Sequence, residues 1–142
     1  MKATISFICA AIVMAACTKE SDTLTDALQN SVPGNTTVLP AIKRGVLNPT
    51  SGIQVTGVAK IVQQPSGLQV QLDSFSISGG PDLKVYLSQA ATPGNHLNLG
   101  NLKANSGTQF YNIPANTNTS SYTYVLIHCQ QYNHLFSYAS LQ

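Results

Sequence analysis

The chain has no tryptophan, and only 8% of its residues are charged. Without tryptophan it lacks the usual flat platform of a carbohydrate site. Tyr86, Tyr111, Tyr122, Tyr132 and Tyr138 can replace it only in part. Seven Lys and Arg against five Asp and Glu give a formal net charge of +2. No basic stripe stands out, so nucleic acid is not an expected partner. Beyond residue 40 the only acids are Asp73 and Asp82, and Asp82 sits in a turn, so paired-carboxylate hydrolysis is not expected. There is no Walker-type phosphate loop, no Cys-x-x-Cys, no His-x-x-x-His and no Gly-x-Ser-x-Gly. What remains is abundant Asn, Gln, Ser and Thr, a polar but largely uncharged surface of the kind common in extracellular β-proteins.

The N-terminus carries a different signal. Lys2 precedes the apolar run Ile5–Val13, which leads into Met14-Ala15-Ala16-Cys17. The run is too short to span a bilayer, and the layout is that of a cleaved signal. Residues 1–16 read as a bacterial lipoprotein signal peptide, with Cys17 becoming an acylated N-terminus that anchors the protein in the membrane. Met14 stands where Leu is usual. The alternative is an ordinary secretory signal cleaved near Ala16, leaving Cys17 a free thiol. Residues 17–40 hold few large apolar side chains and predict a flexible tether. Leu24 and Leu28 are spaced for one helical turn, too little to be stable alone. Cys17-Thr18-Lys19-Glu20-Ser21-Asp22 resembles a Lys-plus-acid tag for surface export in Gram-negative bacteria, and reads equally well as a generic charged start. The expected location is the bacterial cell envelope, at the outer membrane, with surface exposure if the tag operates.

Residues 41–142 predict a single all-β domain. Leu68, Val70 and Leu72 alternate with Gln69, Gln71 and Asp73; Leu83, Val85 and Leu87 with Lys84, Tyr86 and Ser88; and Val125, Ile127 and Cys129 with Tyr124, Leu126 and His128. Val55–Val62 is a further strand, in which Gly57 marks a bulge. Weaker strands are expected at 45–47, 97–102, 108–113 and 135–139. Turn chemistry divides them at Pro49–Gly52, Pro65–Gly67, Ser78–Pro81, Pro93–Asn95 and Asn105–Gly107. This pattern predicts an antiparallel β-sandwich of seven to nine strands with no long helix. A monomer is expected.

One cluster carries chemistry: His128-Cys129-Gln130-Gln131-Tyr132-Asn133-His134. Cys129 is in phase with Val125 and Ile127, so it points inward and His128 points to the other face. A tight turn at 130–133 would return His134 towards the sulfur. A zinc site would need two more ligands, and His96 is the only other histidine, so no metal site is assigned. A thiolate beside an imidazolium is activated, whereas a buried neutral thiol is inert packing. Both options stay open on the residues alone. Cys129 is the candidate redox thiol, His134 its candidate neighbour, and His128 the second choice.

The stretch from Gly45 to Leu141 resembles the DM-thirteen domain, also called the electron-transfer DM domain. The resemblance is carried by Val55-Thr56-Gly57-Val58-Ala59, by Asp73-Ser74-Phe75, and by Gly80–Leu87. It continues through Leu99–Lys103 with Ser106–Gln109, Tyr111-Asn112-Ile113-Pro114, and Val125–Cys129. It implies a sandwich of DOMON-like or jelly-roll-like form, with Cys129 as the family's signature cysteine, either a bare redox thiol or a haem ligand. The chain departs from the pattern at His128, where an aromatic is common, and at Ser137-Tyr138, where Phe-Gly-x-Ala is usual. Two functions follow. One is a redox module with an unidentified partner, centred on Cys129. The other is a lipid-tethered binding or adhesion module in which Cys129 is core packing.

Overall fold

The computed structural model describes residues 40–142. The expected signal, the expected acylation at Cys17 and nearly all of the expected tether lie outside the described residues. Nine strands follow in order: β1 (Ala41–Val46), β2 (Asn48–Pro49), β3 (Val55–Gln64), β4 (Gly67–Ile77), β5 (Leu83–Ser88), β6 (His96–Asn101), β7 (Ser106–Asn112), β8 (Tyr124–Cys129) and β9 (His134–Ser140). Among the described residues the only helical element is a single 3-10 turn, Thr119–Ser121. Every strand pairing is antiparallel. One sheet has the order β1-β3-β4-β7 and the other β2-β9-β8-β5-β6. This is the sandwich that the alternation predicts.

Alternation determines what lies between the sheets. Val70, Leu72, Val85, Leu87, Val125, Ile127 and Cys129 are fully buried in one apolar cluster, with Leu83 and Phe75 beside them. Leu68, expected in the core, is half-buried and packs against that cluster. The weak strands are all present. The one expected at 45–47 starts earlier, running from Ala41 to Val46.

Two glycines are needed where they stand. Gly57 has φ +115, and the β3–β4 register slips there, between Thr56 and Val58. A Cβ at Gly57 would lie 2.8 Å from the Phe75 Cα, so both backbone angle and space require glycine. Gly45 faces the opposite sheet, where a Cβ would come within 2.1 Å of the Ser140 carbonyl oxygen. The missing side chain lets β1 close onto the chain end, where Arg44 and Gln142 exchange two backbone hydrogen bonds of 2.9 Å. Lys43 closes the same side by donating to the carbonyls of Thr119 and Tyr122.

Candidate functional site

Strand β8 presents two different faces. On the inner face Val125, Ile127 and Cys129 join the core. Cys129 is the last residue of β8, lies opposite Leu83 in β5, and is 0% exposed. It is the only cysteine among the described residues, and it is a free thiol. The chain leaves the interior immediately after it, because Gln130–Asn133 form a fully exposed turn. Few bonds hold this turn. The Gln130 N–H donates to the Asp82 carbonyl at 2.9 Å, and the Asn133 N–H reaches the Gln130 carbonyl at 3.3 Å. Asn133 adopts φ 48, a left-handed conformation that asparagine tolerates better than most residues.

The turn brings His134 back opposite Cys129, where the two are register partners at the end of the β8–β9 ladder. His134 is exposed, and its ring meets Phe136 edge-on at 5.5 Å. Cys129 and His134, the first-choice pair, are thus opposite one another in backbone register, the thiol buried and the imidazole exposed. His128 lies on the other face of the strand, as alternation requires.

That other face is not open. His128 is only 4% exposed, and its ring lies 5.5 Å from Tyr86, which in turn stacks on His96 at 4.1 Å. Leu126 and Tyr86 beside it are also buried. His128 Nδ1 has no hydrogen-bond partner among the described residues. Burial pushes the His128 imidazole below its ordinary pKa, and the charges of His96 and His134 push the same way, against a hydrogen bond that the imidazole donates to the Asn133 side chain. Burial pushes the Tyr86 phenol up, opposed by Lys84 and reinforced by Asp82. The local sequence did not announce this layer. Its residues come from three strands, and only the β6-β5-β8 order makes them neighbours.

Among the described residues no three His, Cys, Asp or Glu side chains converge as metal ligands. A haem does not fit on Cys129 in this conformation. The sulfur is sealed in the apolar core, and the hollow along its strand partner Leu83 is about 210 Å³. Ordinary small-molecule sites are roughly 300–1,000 Å³. That hollow is lined by Asp82, Asn101 and Asn105 among others. The Asp82 carboxylate there is already held by Lys84 at 2.7 Å, and Lys84 also donates to Asn101 Oδ1.

No curated protein and no solved structure matches the chain. The family comparison does find a match, to the electron transfer DM13 family over residues 49–141, well over half of the 142 residues. The match runs from β2 to the end of β9 and includes the Cys129 turn. The chain belongs to the electron transfer DM13 family.

Proposed function

We propose that this protein is an electron-transfer module tethered to the bacterial cell envelope, with Cys129 as its redox-active atom. Its membrane attachment would be the acylated Cys17. The observation that carries the proposal is the position of the thiol. Cys129 is shielded at rest, one residue from an exposed and lightly held turn, and opposite an exposed histidine. Local opening of such a turn is far less costly than unfolding the sandwich. Once open, the thiolate can attack a small disulfide. The S–S bond breaks, a mixed disulfide forms on Cys129, and one thiolate leaves with the displaced electron pair. With Cys9 removed in the signal and Cys17 acylated, as proposed, the partner sulfur would come from another molecule.

The test is to mix reduced native protein with a small disulfide and weigh the product. One adduct is expected, absent from Cys129→Ala and slower to form in His134→Ala. A second reading, a non-catalytic binding or adhesion module, draws on the 0% exposure of Cys129 within the apolar cluster. An adduct that appears only with denaturant would make that reading the better one. For the anchor, Cys17→Ser should leave the membrane fraction, and equal membrane association of both forms would remove that part of the proposal.

A further inference from the structure

Strand β1 exposes an apolar face without a partner. Ile42 and Val46 are 56% and 61% exposed, the largest such aliphatic exposures among the described residues. Arg44 and Val46 point away from the core, because the alternate residues Lys43 and Gly45 turn towards the opposite sheet, and Ile42 is exposed beside them at the register slip between Ala41 and Lys43. Val46 lies opposite Val58 and Arg44 opposite Lys60, so the patch extends onto β3. Lys60 is neutralised by Asp73 at 2.6 Å, and Lys84 by Asp82. Those are the only two acidic side chains among the described residues. Arg44 is therefore left there as a cation without an acid partner, flanked by two exposed aliphatic side chains.

We infer that this face, Ile42-Arg44-Val46, rests on an anionic lipid surface and orients the domain on the membrane. The inference depends on the proposed acylation of Cys17. Three observations select a bilayer over other occupants. The face begins two residues after Pro40, where the chain arrives from Cys17, and that stretch spans at most about 80 Å even when fully extended. Across residues 40–142 five Lys and Arg stand against two Asp, a sign that complements anionic headgroups. A second copy cannot readily extend the sheet here, because the free edge of β1 at Arg44 is already bonded both ways to Gln142. Two aliphatic side chains and one arginine bind a bilayer weakly alone. A tether removes the need for strength, because it holds the face within reach at high effective concentration.

The chain has no tryptophan, so one introduced indole reports without background. The acylated full-length protein is prepared as Val46→Trp and, separately, as Tyr132→Trp. Tyr132 is 68% exposed in the β8–β9 turn, at the far end of the other sheet from the Arg44–Gln142 bridge. Both are reconstituted into vesicles of phosphatidylethanolamine and phosphatidylglycerol carrying brominated acyl chains, and flotation is measured first. The expected result is that both proteins float. Val46→Trp should be quenched at least twofold more than Tyr132→Trp, and adding Arg44→Glu should remove most of that difference. Floating protein with equal quenching, or with stronger quenching at 132, overturns the inference and leaves the anchor standing. Emission from Val46→Trp that shifts to the blue without lipid, together with a dimer by sedimentation, assigns the face to a second copy and also overturns it. Failure to float overturns the anchor, and the inference with it.

Discussion

The two sheets meet over one core but differ on their outer faces. On the β1-β3-β4-β7 sheet the outward residues of β4 are polar and partnered sideways, while the apolar Val46, Val58 and Val62 lie towards the β1 edge. Lys60 pairs with Asp73, and Gln69 Nε2 donates to Asn112 Oδ1 at 2.6 Å. On the β2-β9-β8-β5-β6 sheet the outward residues Tyr86, Leu126 and His128 are as buried as core residues, and two of them belong to an aromatic stack. Strand alternation places a residue on a face but does not say whether that face is wet. Here the strand that carries the thiol is dry on both sides, and its neighbour in sequence, His128, is a base whose pKa burial holds down rather than a solvated one.

The sharpest way to break this contrast is to truncate one outward residue on each sheet. Leu126→Ala should cost about 2–5 kcal/mol, the range for a fully buried leucine. Gln71→Ala on the other sheet should stay within about 0.5 kcal/mol. Chemical denaturation of both variants checks this, and similar small costs would mean the two outer faces are alike.

A second effect concerns the bulge that starts the four-stranded sheet. Gly57→Ala forces a side chain into a φ of +115 and against Phe75, and should cost about 1–3 kcal/mol. Thermal unfolding reads this directly. A neutral result would mean the bulge relaxes freely.

The third is read against pH and separates the sheets by their acids and bases. The folded-state pKa of His128 lies below its ordinary value of 6.5, so the unfolded chain binds the proton more readily. Stability from this group is complete above about pH 6.5 and is lost as pH falls towards the folded value. The Asp73 carboxyl is held below its ordinary 3.8, first by the hydrogen bond from Lys60. Its contribution is complete above about pH 3.8 and disappears only below that. Wild type should therefore lose stability in two stages on acidification. His128→Gln should remove the upper stage and leave the lower one. An unchanged upper stage in that variant would contradict the burial of His128.

The smallest effect is the ion pair itself. Lys60 and Asp73 are partly exposed, so a double-mutant cycle should give a coupling of about 0.2–1 kcal/mol that shrinks with salt. A coupling of several kcal/mol would mean the outer face of the four-stranded sheet is drier than its exposure indicates.

Much of this architecture was legible in the residues. Period-two alternation identified β4, β5 and β8 and placed Val70, Val85, Ile127 and Cys129 inside, because a buried face tolerates no register slip. Gly57 was legible as a bulge because a glycine interrupted a strand pattern. The Cys129–His134 pairing followed from one short turn. The His96–Tyr86–His128 stack was not legible, because its members are far apart in sequence and meet only through the strand order. The reach of Lys43 across the sandwich to Thr119 and Tyr122 was hidden for the same reason. Long-range register is set by the whole sheet, and no local window contains it.

The central claim is that Cys129 is shielded by a local, openable turn rather than locked in the core. The direct measurement is the labelling rate of Cys129 in a Cys17→Ser chain at increasing urea, well below the unfolding midpoint. Both serine substitution at 17 and signal removal leave Cys129 as the sole reactive thiol. The account predicts labelling without urea, at a rate nearly independent of urea, because opening residues 130–133 exposes little surface. A rate that is negligible in water and climbs with the full urea slope of global unfolding would contradict it, and would make Cys129 a packing residue of the sandwich.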